Sequence, residues 1–364
     1  MSKELCLKLG FPPLTDVATF KSIAHLFTSA RKGSRCGLYL LELADGCYYV
    51  GQSVEVVRRF AQHCKNHEIV AFAFIRVKPT DLDEVEFNKI RQAEELGLRL
   101  RNVIHTTCVD GEADLDLIIP EDQQRKWVTN AKRYFKKDIS PRIQFPQSHL
   151  DRYAERFRRF ERHPQSEIAL KLLRTYLINS IVAPVRTEYS FWNVSCMPSS
   201  GGTKFPRLFC VSAASMELFV VMADSANPAF LHGFLNVSVD ALSYFLTLEE
   251  FSELHPEVEL SIRDYRDAGD DQITLHAWGA DHLERLLRDE FVQIAACVLS
   301  QRVMRKRPTF YAQYHCAQLA EKALVNPSSK AAKPVKRRLK PSVAVNAAAW
   351  PFPVANQANT RSRH

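Results

Sequence analysis

Residues 36–64, CGLYLLELADGCYYVGQSVEVVRRFAQHC, leave few choices of local fold. Residues 38–43 have the apolar run of a buried strand, Ala44-Asp45-Gly46 is a turn, and residues 47–51 form a second strand, so the pattern predicts a hairpin. Residues 55–65 then place their apolar side chains at helical spacing. The stretch therefore predicts a strand, a strand and a helix in succession.

The next residues extend this unit. Residues 69–77 are nearly all apolar, which suits a central strand, and Pro79-Thr80-Asp81 opens a second helix over residues 82–96 that Gly97 ends. The order strand, strand, helix, strand, helix predicts a compact α+β unit.

The same elements carry side chains suited to phosphodiester cleavage. Tyr39 and Tyr49 lie on adjacent strands, Arg59 and His63 are four residues apart on the helix, and Glu86 comes early in the second helix. This reaction needs a divalent cation, an arginine to hold the developing negative charge and a base to activate water. Mg²⁺ prefers oxygen ligands and keeps several waters, so one carboxylate is an adequate protein ligand.

The ordered set resembles the GIY-YIG nuclease superfamily over about residues 35–105. The resemblance rests on Gly37-Leu38-Tyr39, Tyr49-Val50-Gly51, Arg59, His63, Glu86 and Asn102. It implies an endonuclease that acts on DNA with Mg²⁺ or Mn²⁺. Its implied roles are hairpin tyrosines, one of them serving or assisting as general base, at Tyr39 and Tyr49, a phosphate-stabilising arginine at Arg59, a metal ligand at Glu86, and site support from Gly37, Gly51 and Asn102.

Several alternatives stay open at this point. Arg58 competes with Arg59, and Glu84 competes with Glu86, because a shift in helix register would select the neighbour. His63 either contacts the active site or packs the helix. The fold either cleaves DNA or has lost turnover and binds DNA or RNA, and the nuclease is alternatively the output of a C-terminal sensor or protein-interaction domain.

Charge is unevenly distributed along the chain. The net charge is +8, and residues 325–364 hold eight lysines and arginines with no acidic residue, so the rest of the chain is neutral overall. A second basic region, residues 125–162, has twelve basic and four acidic residues with aromatic residues between them. Both regions indicate phosphate contacts, with a solvated charged face as the alternative for the second. The predicted nucleic-acid-binding residues are Arg125, Lys126, Lys132, Arg133, Arg156, Arg159, Lys336, Arg337 and Arg338.

The pattern predicts five segments. They are a leader with one helix (1–34), the nuclease-like domain (35–120), a basic helical connector (121–164), a second α+β domain (165–325) and a disordered basic tail (326–364). The leader helix is predicted over residues 17–27 because the apolar residues there recur at helical spacing, namely Val17, Phe20, Ile23, Ala24 and Phe27. In the second domain the spacing predicts one long helix that begins at Asp281 and buries apolar residues as far as Val298. No catalytic motif stands out in this domain, which we expect to choose the target or bind a protein partner.

Composition limits the class of protein. No apolar run approaches the roughly 20 residues of a membrane span, and the N-terminus lacks a secretory signal pattern, so we expect a cytoplasmic protein without a membrane partner. The nine cysteines are scattered, which argues against a disulfide framework and a structural zinc site. The oligomeric state does not follow from the sequence.

Overall fold

The computed structural model describes residues 3–27, 34–102, 105–107, 113–134, 141–199, 202–263 and 265–325. The fold is mixed α+β, with one four-stranded and one six-stranded sheet. The chain divides into two compact units, Met1–Glu112 (unit 1) and Ala113–His364 (unit 2). The predicted basic tail, with Lys336, Arg337 and Arg338, lies outside the described residues. No helix in the described ranges is long and apolar enough to cross a membrane.

Unit 1 contains the predicted hairpin, two helices and central strand. In chain order its elements are α1 (Lys3–Lys8), β1 (Thr15–Asp16), β2 (Gly37–Leu43), β3 (Tyr48–Ser53), α2 (Val56–His63), β4 (Ile69–Arg76) and α3 (Leu82–Glu95). The strands form an antiparallel sheet in the order β1-β4-β2-β3. The strand β4 is internal, as its apolar run predicts, and β3 lies at an edge.

Side-chain alternation along β2 supplies both faces of this sheet. Leu38 and Leu40 pack with residues of α1 and α3 in one apolar cluster. Tyr39, Leu41 and Leu43 pack with residues of α2 in a second cluster. Because successive strand residues point to opposite faces, a run that is buried throughout places the sheet between two layers of helix.

The leader differs from its prediction. A helix over residues 17–27 is not formed; instead β1 pairs with β4, and Ala24–Leu26 make a single 3-10 turn. Val17 and Ile23 are buried in the cluster beneath α2, while Phe20 is exposed. The apolar residues that suggested a helical stripe are therefore buried by an irregular segment that crosses the sheet edge.

Unit 2 is built on an antiparallel sheet in the order β5-β6-β7-β8-β10-β9. Its strands are β5 (Trp192–Cys196), β6 (Arg207–Ala213), β7 (Met216–Ala223), β8 (Leu231–Val237), β9 (Val258–Ser261) and β10 (Ile273–Trp278). Its helices are α4 (Glu121–Tyr134), α5 (Gln147–Glu161), α6 (Ser166–Ser180), α7 (Pro184–Thr187), α8 (Val239–Ser243), α9 (Leu248–Leu254), α10 (Ala280–Arg288), α11 (Glu290–Lys306) and α12 (Ala317–Val325).

The predicted connector, residues 121–164, belongs to the core of unit 2. Trp127 of α4 and Tyr153 and Phe160 of α5 lie in the same apolar cluster as the strands and α11. Leu115 joins that cluster too, so unit 2 begins near Ala113, ahead of the predicted boundary. The aromatic residues between the basic ones are the reason, because they anchor both helices to the core.

The predicted long helix from Asp281 is broken in two. Its apolar residues are buried as expected, yet α10 ends at Arg288 and α11 starts at Glu290. Asp289 has an extended backbone between them, and its carboxylate accepts hydrogen bonds from the N–H groups of Phe291 and Val292. The helix cap is therefore Asp289, and Asp281 lies inside the first turn of α10.

Candidate active site

The two hairpin tyrosines lie on one face of the sheet of unit 1. Tyr39 pairs with Gly51, and Leu41 pairs with Tyr49, so the tyrosines are diagonal neighbours across β2 and β3. Their rings are stacked with centroids 6.2 Å apart. The hairpin register thus brings the two phenols together, as the sequence predicts.

Glycine is required at two positions of the hairpin because neighbouring atoms approach closely. A Cβ atom on Gly51 would lie 2.5 Å from the Tyr39 hydroxyl oxygen and 2.7 Å from Tyr49 Cε1. A Cβ atom on Gly37 would lie 1.9 Å from the carbonyl oxygen of Ile75. Gly51 therefore lets the Tyr39 ring lie across the edge strand, and Gly37 lets β2 approach β4.

His63 lies against both tyrosines. Its Nε2 is 2.8 Å from the Tyr39 hydroxyl, and its ring centroid is 4.7 Å from that of Tyr49. Burial, together with the positive charge of Arg59, lowers the pKa of His63 to about 4. His63 is therefore a neutral imidazole at pH 7, within reach of the phenol proton of Tyr39.

Arg59 contacts the tyrosine pair. Its Nε donates to the Tyr39 hydroxyl at 3.4 Å, and its Nη1 donates to Gln62 at 3.2 Å. Hydrogen bonding to Tyr39 raises the pKa of Arg59 despite its partial burial. Arg58 is exposed. Of the two candidate arginines, Arg59 is the one whose guanidinium group lies at the tyrosines.

Glu86 approaches from the opposite side of the sheet, on α3. Its Oε2 accepts a hydrogen bond of 2.9 Å from the side-chain amide of Gln52 on β3, and the same amide donates to Asp83 at 2.5 Å. Glu86 is half-buried, whereas Glu84 is exposed. The carboxylate of Glu86 therefore lies beside the edge strand, close to the residues that follow Gly51.

The ionisable groups of this cluster act on one another. Burial raises the pKa of Tyr39 well above its ordinary range, and the charges of Tyr49 and Glu86 add to that rise. Burial also raises the pKa of Tyr49, with Arg59 opposing and Glu86 reinforcing it. Burial and the nearby Asp83 raise the pKa of Glu86, and Gln52 opposes that rise. Two phenols, one guanidinium group and one carboxylate thus share one electrostatic environment.

Asn102 has a structural position. Its side-chain oxygen accepts the N–H of Val50 at 3.0 Å, and its side-chain nitrogen donates to the carbonyl of Val50 at 2.6 Å. The amide is buried and replaces a neighbouring strand at this point of β3. Asn102 thereby fixes the backbone that precedes Gly51.

The oxygen donors present suit a hard divalent cation. Among the described residues no group of three or more His, Cys, Asp or Glu side chains converges as a metal site. The Glu86 carboxylate, with Asp83 one turn away, offers oxygen ligands of the kind that Mg²⁺ and Mn²⁺ prefer. A cation here would take its remaining ligands from water and from phosphate oxygens.

Gln52 and Asp83 were missed as site residues from the sequence. Gln52 immediately follows the Tyr49-Val50-Gly51 triplet, and it shares with Val50 the face of β3 that packs against α3. Asp83 lies three residues before Glu86 on α3, so the two share a helix face. The helical spacing of the two carboxylates was the available signal, whereas the contact with Gln52 spans more than thirty residues of sequence.

The predicted nucleic-acid-binding residues of unit 2 are on α4 and α5. Arg125 and Arg156 are half-buried, Arg159 is exposed, and Lys126 is exposed and paired with Asp122. Lys132 and Arg133 lie in the last turn of α4, and their side chains are outside the described part of the structure.

Comparisons of the chain with protein-family models, with curated proteins and with solved structures found no match.

Proposed function

We propose that unit 1 is a divalent-metal-dependent endonuclease that hydrolyses phosphodiester bonds in DNA. One observation carries the proposal: the Tyr39 phenol, the Arg59 guanidinium group and the Glu86 carboxylate come from three elements on both faces of the sheet and act on one another at the β3 edge.

Tyr39 and His63 handle the proton in this proposal. In this proposal the Tyr39 O–H donates to His63 Nε2, with the imidazole proton on Nδ1, while Arg59 Nε donates to the same Tyr39 oxygen. An attacking water gives a proton to the Tyr39 oxygen as Tyr39 passes its proton to neutral His63. The water oxygen bonds to phosphorus, the bond from phosphorus to the leaving sugar oxygen breaks, and solvent protonates the leaving oxygen.

Arg59 and Glu86 serve in this proposal to stabilise the negative charge of the phosphate, Arg59 directly and Glu86 through a bound cation. The permanently charged guanidinium group of Arg59, which contacts Tyr39, would hold the negative charge that builds on the phosphate oxygens. Glu86 would hold Mg²⁺ or Mn²⁺, with Gln52 orienting its carboxylate. When bound, the cation neutralises phosphate charge and polarises the phosphate.

Matched substitutions test the assignment. Arg59→Ala and Glu86→Gln should each lower the cleavage rate of plasmid and branched DNA in Mg²⁺ by about 10²-fold or more, since each removes charge stabilisation of the transition state. Their neighbours provide the controls: Arg58→Ala and Glu84→Gln change exposed residues and should cleave within about twofold of the parent.

Two outcomes would count against the proposal. If Arg59→Ala and Glu86→Gln proteins cleave as well as the parent, the site is wrong. If the parent binds DNA tightly but cleaves under no divalent cation, with supercoiled, branched, single-stranded and RNA substrates all tried, the unit is a binding module and the enzymatic assignment fails.

A further inference from the structure

A stripe of arginines runs along α5 of unit 2. Arg152, Arg156 and Arg159 are spaced at i, i+4 and i+7, so they lie on one face of the helix. The adjacent face carries Tyr153 and Phe160 into the core. From Arg152 to Arg159 the helix rises about 10 Å.

The charges of this stripe are not neutralised by ion pairs within the described residues. Arg158, on another side of α5, pairs with Glu155, and Glu161 pairs with Lys322. Arg152, Arg156 and Arg159 form no salt bridge with any acidic residue that the structure describes. The stripe therefore carries positive charge that no ion pair among the described residues neutralises.

Exposed aromatic side chains lie in the loop between α11 and α12, part of which contacts α5. Phe310 is 69% exposed and Tyr314 is 47% exposed. Tyr311 lies between them, with ring centroids 5.7 Å from Phe310 and 6.3 Å from Tyr314. We call residues 310–314 the aromatic loop. Three neighbouring rings, of which Phe310 and Tyr314 are exposed, form an aromatic surface outside the core of unit 2 on which a flat ring could stack.

The aromatic loop is fixed to α5. The Tyr153 hydroxyl donates to the carbonyl of Gln313, and His149 Nε2 donates to the carbonyl of His315 at 2.9 Å. Arg152, Arg156 and Tyr314 lie close enough to the Tyr153 hydroxyl to act on its ionisation. Tyr314 is therefore a neighbour of the stripe, and Tyr311 links Tyr314 to Phe310 within the loop.

A groove continues this surface at the C-terminal end of α5. It has a volume of about 420 Å³, and its lining includes Arg159, Arg162, His163 and Met197. A flexible chain lying along α5 from the aromatic loop would reach this groove.

We propose that the stripe and the aromatic loop together bind an unpaired DNA strand, with bases stacked on Phe310 and Tyr314 and phosphates held by Arg152, Arg156 and Arg159. Base stacking on aromatic side chains requires a free base face, which a strand inside a duplex does not offer. Arginines along a helix follow the backbone without reading sequence. The consequence for cleavage, that flapped or branched DNA is the preferred substrate class, rests on the proposed function of unit 1.

Binding is measured without cleavage, with the full chain in EDTA. Fluorescence anisotropy would compare a single strand, a duplex, a flap and a single-stranded RNA of matched length. Phe310→Ala and Tyr314→Ala should each weaken binding to the single strand and the flap about 10-fold, and binding to the duplex less than twofold. The exposed Ile262, changed to Ala, is the control. Arg152→Ala combined with Arg156→Ala should reduce the salt slope by about 1.4 on single strands, whereas the paired Arg158→Ala should leave it unchanged.

The possible outcomes separate this proposal from the proposed function. Equal losses on duplex and single strand, or no loss on either, would overturn the stacking surface. A chain that loses self-association through Phe310→Ala, with DNA binding intact, would show that the loop binds a second copy, which also overturns it. Loop-dependent strand binding by a parent that cuts nothing in Mg²⁺ upholds the stacking surface and rejects the nuclease. Tighter binding to the RNA than to the single-stranded DNA would overturn DNA as the ligand.

Discussion

His63 provides a direct link between burial and stability that experiment can measure. Its imidazole is enclosed by Tyr39, Tyr49, Arg59 and His67, and its pKa is lowered from 6.5 to about 4, chiefly by burial. Protonation of His63 therefore favours the unfolded state. The informative perturbation is His63→Gln, because the Gln side-chain oxygen can accept the Tyr39 hydroxyl while the residue no longer titrates.

The sign and size follow from linkage. Well above pH 6.5 His63 is neutral in both the folded and the unfolded state, so it imposes no pH-dependent cost. As the pH falls towards 4, the unfolded chain takes up a proton that the folded chain does not, and stability declines. The full difference in pKa corresponds to about 3 kcal/mol, which is the largest loss expected from this residue.

The measurement must report on unit 1. All four tryptophans follow residue 112, so tryptophan fluorescence reports on other parts of the chain. Urea unfolding of the full chain, read from deuterium uptake in peptides from residues 37–76, would follow the sheet that carries His63. The parent should lose about 3 kcal/mol more than His63→Gln between pH 7 and pH 4.

Two controls sharpen the result. Tyr39→Phe removes the hydrogen bond but keeps the burial, so it should retain most of the pH dependence of the parent. Arg59→Ala removes the second cause and should reduce that dependence in part. Identical pH profiles for the parent and His63→Gln would refute the argument, because burial would then have no effect on the ionisation of His63.

Three further substitutions test the packing around the sites. Gly51→Ala should destabilise unit 1 by about 1–3 kcal/mol and lower cleavage, since the new Cβ overlaps the Tyr39 hydroxyl; unchanged deuterium uptake in the hairpin would contradict this. Asn102→Ala should cost about 2–4 kcal/mol in the same assay because it leaves two buried backbone groups of Val50 unpaired, and a loss below 0.5 kcal/mol would mean that water replaces the amide. Asp289→Ala should cost about 1–2 kcal/mol by tryptophan fluorescence, and Asp281→Ala less than about 0.5 kcal/mol; the reverse order would favour a single helix capped at Asp281.

The sequence predicts unit 1 well because its signals are local. The apolar run of β2, the turn at Ala44-Asp45-Gly46 and the stop at Gly97 each act within a few residues, and the observed elements match them closely. The order of Tyr39, Tyr49 and Arg59 likewise predicts side chains that meet, whereas Glu86 contacts the hairpin through Gln52. The contact of Gln52 with Glu86 could not be predicted in this way, because it depends on the distance between α3 and β3 in the folded unit.

Unit 2 was harder to predict for a physical reason. The apolar spacing from Leu283 to Val298 continues across Asp289, so periodicity alone indicates one helix, while the backbone turns at the cap. The leader fails similarly, since Val17 and Ile23 are buried without a helix between them. Apolar periodicity predicts which side chains are buried, but long-range packing determines the backbone conformation that buries them.

The outer edge of β3 explains why separated parts of the sequence act together. Alternate residues of an edge strand point their N–H and C=O groups outward. At Tyr48 these groups pair with the backbone of Arg99 and Arg101, and at Val50 they pair with the side-chain amide of Asn102. At Gln52, the next outward residue, the side-chain amide reaches Glu86. Along β3 the partner thus changes from backbone at Tyr48 to a side-chain amide at Val50, and at Gln52 the contact joins two side chains. The position of Glu86, the candidate metal ligand, therefore depends on the hairpin as much as on α3.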